Sequence, residues 1–342
     1  MLTRPYGRFY HLPRLLAQKG HEVSILLCSY KREPEQYDFH DENDICWSSV
    51  RLISLNPFHY YRTARQMAEK LKPDWIIGFS DTYYGILAVH LAGRLGCKSL
   101  IDAYDNYESY IPWFRPLQLL WRNALARADL ITAAGPQLAE LMNRGRKDKP
   151  SVVVPMAADP IFKPLDKKIC RKNLGLPLDR KLIGYCGSIH PSRDINILFD
   201  AFRCLAAKRT DIELVLTGRK APKIEIPKGI NWLGYLPDEK MPLLLNSMDV
   251  LTVLNQDSSF GNFSYPVKLY EAMSCKVPVV ATATPATKWI MKKHLDHLVP
   301  PGDSISLCKV ISGILEHSGG INYGMVEGWK EVTTNFEKAL IV

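Results

Sequence analysis

No stretch of the 342 residues approaches the roughly 18 consecutive apolar residues that a membrane-spanning helix needs. The opening MLTRPYGRFY has no apolar core of the secretory-leader kind, so the chain is expected in the cytoplasm, at most touching a membrane surface. The eight cysteines are scattered without a Cys-x-x-Cys pair, and several lie in apolar runs such as Ser24 to Cys28 and Leu182 to Gly187. Thiols so placed are expected to be reduced and mostly buried. No Gly-x-Gly-x-x-Gly follows an expected strand, which argues against a dinucleotide oxidoreductase. His294 and His297 have a metal-compatible spacing but no third ligand to match, so no metal site is expected. Low-complexity segments and short repeats are also missing.

What is present points to a folded two-domain protein. An apolar content of 46% over this length is enough for two cores of ordinary size. The formal net charge of +9 suits nucleic acid, an anionic membrane or a phosphate-bearing substrate. Charge alone does not choose, and nothing else in the chain supports nucleic acid.

Apolar periodicity gives an alternation of helices and strands. Helix is expected from Phe9 to Lys19 despite Pro13, then strand from His21 to Cys28, an irregular polar segment over 31–50, and strand from Val50 to Leu55. Helices at Tyr60 to Leu71, Tyr84 to Leu95 and Pro116 to Ala126 alternate with strands at Asp74 to Phe79, Lys98 to Asp102 and Asp129 to Ala133. After a boundary near Pro150 to Pro164, which contains a short strand at Val152 to Val154, the alternation restarts. Strands at Leu182 to Gly187, Ile212 to Thr217, Val250 to Leu254 and Val277 to Thr282 are separated by helices that include Asn196 to Lys208 and Lys240 to Ser247. Such alternation predicts parallel sheets with helices on both faces, and ligands at the carboxyl ends of the strands. The expected division is 1–150, 151–320 and a C-terminal helix in 321–342 that packs back on the first domain.

The richest stretch is Phe260 to Ala286, FGNFSYPVKLYEAMSCKVPVVATATPA. It reads as a loop, a short helix with Lys268 and Glu271 three apart on one face, and a buried strand. A base and an acid at the first turn of a helix, beside unpaired backbone N–H groups, are suited to holding a nucleotide. In GYCGSIHPSRD, 184–194, a strand runs into Gly187 and a loop that ends at Arg193 before a helix, an arrangement in which backbone and cation can meet a diphosphate.

In this order the motifs resemble the retaining glycosyltransferases of sequence family four. The resemblance rests on KGHEVSILL (19–27), VVVPMAADPIFKP (152–164), GYCGSIHPSRDINILFDAF (184–202), ELVLTG (213–218), INWLGYLPDEKMPLLLNSMDV (230–250), YPVKLYEAMSCKVPVVAT (265–282) and HLVPPGD (297–303). It implies an α/β fold of GT-B architecture, with two Rossmann-like doubly wound domains facing a central cleft, the first bound to the acceptor and the second to the donor. The unit "helix, Gly-His-Glu-Val, strand" normally follows a first strand, which is expected to be missing here.

The resemblance also assigns residues. Arg193 and Lys268 would stabilise the donor diphosphate, with Ser188 where the family has a second cation. Glu271 would accept hydrogen bonds from the ribose, and Gly187, Gly218 and Leu269 of the Pro-x-Lys-Leu-x-Glu sequence would complete the donor site. Asp105, in SLIDAYDNYESYIPWF (99–114), would stand in for the family's histidine near the reacting carbon; the alternative is that Asp102 and Asp105 serve a turn or cap. Phe263 occupies the place of a first acid, Lys276 that of a helix-ending glycine, and Thr284-Pro285-Ala286 that of a glycine-rich loop. Keeping the left-handed backbone at Lys276 would cost on the order of 1 kcal/mol. The implied partners are a nucleoside-diphosphate sugar and a glycan or lipid-linked acceptor, with no cofactor, no metal and no nucleic acid. The alternative is a non-catalytic relative that binds nucleotide sugar or supports a partner enzyme. Trp113, Phe114, Leu117, Leu119, Leu120 and Trp121 with Arg115 and Arg122 read either as a segment that enters a bilayer interface or as a core-facing helix.

Overall fold

A computed structural model of the chain describes residues 7–29, 37–40, 45–51, 58–146, 149, 151–317 and 319–341. It contains two compact units, Met1–Pro155 with Trp329–Val342, and Met156–Gly328.

Unit 1 runs α1 (Arg8–Gln18), β1 (Ser24–Ser29), β2 (Tyr37–His40), β3 (Cys46–Arg51), α2 (His59–Leu71), β4 (Trp75–Phe79), α3 (Thr82–Leu95), β5 (Lys98–Ala103), α4 (Arg115–Arg127), β6 (Leu130–Ala133), α5 (Pro136–Asn143) and β7 (Ser151–Val153). Strands β4, β5, β6 and β7 are neighbours in that order and parallel throughout. After Lys98, β5 is wholly buried, as expected for a strand covered on both faces. The Asp81 carboxylate accepts from Thr82 N at 2.6 Å and starts α3, and Gly96 in the left-handed region ends it. A Cβ added to Gly85 on α3 would lie 2.6 Å from the Trp121 ring, so the glycine lets α4 pack closely.

A charged node lies inside unit 1. Arg8, at the first turn of α1, and Asp102, on β5, are 1% and 0% exposed. Nε and Nη2 of Arg8 donate to the two carboxylate oxygens at 2.6 Å each, while Nη1 donates to the carbonyls of Val154 and Pro155 at 2.8 and 3.0 Å. The Thr132 hydroxyl also donates to Asp102. The last element, α12 (Trp329–Ile341), belongs to the same unit. Trp329 stacks on His11 at 5.3 Å, and Glu337 pairs with Lys19 and His21.

Unit 2 runs α6 (Lys167–Leu174), β8 (Lys181–Cys186), α7 (Ile195–Ala206), β9 (Ile212–Thr217), β10 (Asn231–Trp232), α8 (Met241–Ser247), β11 (Val250–Val253), α9 (Val267–Ser274), β12 (Val279–Thr282), α10 (Pro285–Ile290), β13 (Leu298–Val299) and α11 (Ser304–Glu316). Its sheet has the order β10-β9-β8-β11-β12-β13, all parallel. Counted within the unit this is the doubly wound order 3-2-1-4-5-6, whose direction reverses between β8 and β11. The crevice beyond the carboxyl ends of those two strands is where such a sheet takes a ligand. The core beneath it includes Ile183, Leu198, Leu214, Leu216, Val250 and Val280.

The segment expected to be irregular over 31–50 departs most from the pattern. Its described residues form β2 and β3, an antiparallel pair in register from Tyr37↔Ser49 to His40↔Cys46, with β1 parallel to β3 on the other side. The strand expected at Val50 to Leu55 therefore starts earlier, and its remainder lies outside the described residues. Helices α5 and α6, eight residues each, span only about two turns, too short a window for helical period to stand out in the sequence.

Candidate active site

The strand ends of unit 2 carry most of the residues that the sequence suggested for a donor site. Gly187 follows β8 and donates its N–H to the Thr217 carbonyl at 3.0 Å, so that N–H is committed within the sheet. Gly218 has φ +132, and a Cβ there would lie 1.7 Å from the Gly187 carbonyl oxygen. Only glycine fits, and its place is explained by this backbone approach. Ser188 is exposed, and its carbonyl accepts from the Tyr185 hydroxyl at 2.8 Å.

Arg193 ends the loop that starts at Gly187. Its Nη1 donates to Asn255 Oδ1 at 2.6 Å, and its guanidinium lies 5.2 Å from the Phe260 ring centroid. A further tie joins the same two loops: Gln256 Nε2 donates to the Pro191 carbonyl at 3.0 Å. Asp194, with φ +49, follows in the left-handed region. One loop from each side of the strand-order reversal is thus fastened to the other. Asn255 was not singled out from the sequence. It is 2% exposed, its N–H donates to Thr282 Oγ1 at 3.1 Å, and its Nδ2 has no hydrogen-bond partner among the described residues. An asparagine directly after the apolar strand VLTVL was the available signal, since a buried amide at a strand end needs a reason to be there.

Lys268 and Glu271 lie on α9, with Nζ and Oε2 3.0 Å apart. Glu271 is 6% exposed, whereas the Lys268 side chain is about one-third exposed, at 35%. The lysine's approach does not meet hydrogen-bond geometry. Glu271 Oε2 is thus ion-paired but accepts no hydrogen bond among the described residues, and a carboxylate oxygen has lone pairs to accept from a hydroxyl as well. Leu269 is fully buried, and its N–H donates to the Pro266 carbonyl at 3.0 Å; both anchor the helix. Cys186, beside this pair, has its thiol pushed up to about 12 by burial, with Lys268 pulling it down and Glu271 pushing it up. It is protonated at neutral pH and inert as a nucleophile.

The departures from the family pattern have local structures of their own. Lys276 has φ +57. Val277 N donates to the Ala272 carbonyl and Lys276 N to that of Met273, both at 3.0 Å, so the helix ends in a Schellman motif with lysine in the glycine position. Thr284 caps α10 reciprocally with Thr287, and Pro285 takes the first helical position, which occupies N–H groups that a glycine-rich loop would present. Phe263 is half-buried in the turn Gly261–Phe263. The His294 and His297 rings are 6.0 Å apart, and His297 Nδ1 lies 3.1 Å from the Val279 carbonyl oxygen.

Asp105 belongs to unit 1, just beyond the carboxyl end of β5, where it accepts from the Tyr110 hydroxyl at 3.0 Å. Tyr110 is raised by burial and by Asp105, and Tyr104 is pushed up to about 12, mainly by burial. Ser80, beyond β4, has φ +82 and its hydroxyl is 3.4 Å from that of Tyr104. An open depression lined by Glu69, Lys72, Asp74, Trp75 and Lys98 is at the amino ends of β4 and β5, away from these groups.

Comparison with known proteins identifies the family. The model of the glycosyl transferase 4-like domain matches residues 8–157, and that of glycosyl transferases group 1 matches residues 180–317. The chain belongs to the group 1 glycosyltransferases. Its curated relatives include a phosphatidyl-myo-inositol mannosyltransferase of Mycobacterium leprae, 26% identical over 42% of this chain and 39% of that protein. A D-inositol 3-phosphate glycosyltransferase of Stackebrandtia nassauensis is 27% identical over 45% of this chain and 38% of that protein. The matches therefore span well under half the length of either relative. Among solved structures, HepE of Anabaena, in complex with UDP and glucose, aligns over 99% of this chain and 96% of its own at TM-score 0.76 and 15% identity. Sucrose-phosphate synthase of Thermosynechococcus elongatus aligns over 97% of this chain and 87% of its own at TM-score 0.71 and 16% identity. These likenesses establish the GT-B glycosyltransferase fold.

Proposed function

We propose that this group 1 glycosyltransferase moves a hexose-type sugar from a nucleoside-diphosphate donor to an acceptor hydroxyl, with retention at the anomeric carbon and without a metal ion. The observation that carries the reading is Glu271, buried at the carboxyl end of a doubly wound sheet, with one oxygen that is paired to Lys268 but accepts no hydrogen bond among the described residues. In this reading Glu271 accepts from the donor ribose, and Arg193 and Lys268 face the diphosphate. With no nucleophile assigned to the protein, the leaving diphosphate takes the acceptor proton on the face where the sugar departs. The protein's share is to stabilise charge growing on that diphosphate. Each such donor contributes about 2.7 to 4 kcal/mol to lowering the barrier.

The acceptor is a glycan or a lipid-linked glycan, used in polysaccharide or glycolipid synthesis at the cytoplasmic face of a membrane; the basic balance of the chain supports this. A second reading, a nucleotide-sugar binder without turnover, is favoured by Phe263 in the place of the sugar-side acid. Calorimetric titration of UDP-, GDP- and ADP-sugars together with a sugar-release assay separates the two, since binding without release across the panel selects the second. Wild-type binding and turnover in both Glu271→Ala and Arg193→Ala would sink the site assignment.

A further inference from the structure

Helix α4 has two apolar faces. The inner one is core: Trp121 and Leu125 are 0% exposed and Ala124 is 5%. The outer one, with the loop that leads into the helix, is left exposed by the described residues. Tyr110, Ile111, Trp113, Phe114, Leu119 and Leu120 are 41%, 36%, 79%, 45%, 73% and 56% exposed. Trp113 and Phe114 stand side by side with ring centroids 5.9 Å apart. Single exposed apolar residues are ordinary, but six within eleven positions form a patch that calls for an occupant.

Charge narrows the choice. From Ser109 to Ala128 the chain has no acidic residue, and Arg115 and Arg127, at the two ends of α4, are both exposed. The preceding carboxylates are occupied: Asp105 accepts from Tyr110, and Glu108 pairs with Arg122 at 2.5 Å. A second copy of the chain fits poorly, because a two-fold contact sets the same patch against itself and leaves both arginines without a carboxylate to meet. An interface with aromatic rings, aliphatic side chains and flanking arginines matches the headgroup region of an anionic bilayer.

We propose that the outer face of α4 and the Tyr110–Phe114 loop dock this protein on a membrane containing anionic lipid. The proposal deepens the assignment to a membrane-borne acceptor and rests on that reading for its purpose. Its test uses vesicles and no donor, so it fails or stands apart from glycosyl transfer.

The experiment is co-sedimentation of the full chain with phosphatidylcholine vesicles, with and without phosphatidylglycerol, alongside tryptophan fluorescence. The wild type binds the anionic vesicles, releases at high salt, and shifts its emission to the blue as Trp113 enters the interface. Leu119→Ser with Leu120→Ser lowers partitioning by about tenfold or more. Arg115→Gln with Arg127→Gln lowers it on the order of tenfold on anionic vesicles, with little change on neutral ones. Both variants alter exposed side chains, and unchanged thermal unfolding verifies that they fold. Equal partitioning of wild type and variants, absence of binding, or equal binding to neutral and anionic vesicles overturns the proposal. So does a concentration-dependent dimer in analytical ultracentrifugation that the leucine variant abolishes, which assigns the patch to a second copy.

Discussion

Asp102→Asn removes one charge from a pair that is almost completely dry. Asp102 and Arg8 are 0% and 1% exposed, and the substitution leaves the Arg8 guanidinium buried without a counter-charge and sets an amide N–H where a carboxylate oxygen accepted. Breaking a buried pair from one side costs about 3 to 5 kcal/mol. In a unit of this size that lowers Tm on the order of 10 °C. The effect should be confined to stability, because Asp102 is sealed inside β5 by Arg8 and Thr132. Differential scanning calorimetry and urea unfolding measure the loss. Arg8→Met with Asp102→Leu recovers much of it, because removing both charges leaves no unpaired ion. A loss under about 0.5 kcal/mol for Asp102→Asn, which is the range of a neutral surface change, would refute the view that this pair fastens α1 to the sheet.

Three further outcomes follow from the second unit. Asn255→Ala frees Arg193 from its 2.6 Å tether and lowers kcat about tenfold or more, while Asn255→Asp retains the tether in donor-binding titrations; equal kcat in wild type and Asn255→Ala argues against a positioning role. Lys276→Gly relieves a left-handed lysine and raises stability by about 1 kcal/mol, measured by urea unfolding. Asp249 is 14% exposed; burial alone would raise its pKa, but hydrogen bonds from Lys167 and the Leu182 N–H, with Arg171 nearby, hold it below the ordinary 3.8. Its stabilising contribution is full above that value and is lost as pH falls through the depressed one, so Asp249→Asn flattens the acid limb of the stability curve.

The alternation of elements was legible because parallel strands covered on both faces are written as continuous apolar runs, as in LVLT of β9 and VLTV of β11. So was the helix with Lys268 and Glu271, whose i and i+3 spacing is local. Lys276 was legible as a departure, and it keeps the left-handed backbone that a glycine would have supplied. Long-range polar partnerships were not. Arg8 and Asp102 are 94 positions apart, and Arg193 and Asn255 are 62 apart. Neither periodicity nor propensity records which distant polar group a buried one meets. The irregular reading of 31–50 failed for a related reason: β2 and β3 are short, and CWSSVR carries two serines that are buried by pairing and not by apolar character.

The most direct test concerns the buried carboxylate of Glu271. Titrating the wild type and Glu271→Gln with a nucleoside diphosphate that the wild type binds, and with its 2′,3′-dideoxy analogue, isolates the hydroxyl–carboxylate contact. Hydrogen bonds to a charged group contribute about 1.5 to 3 kcal/mol. The wild type should therefore prefer the natural ribose by about tenfold to a hundredfold, and Glu271→Gln should lose most of that preference. A wild type indifferent to the hydroxyls, or a variant that still discriminates as strongly, would contradict the placement of the donor at this helix.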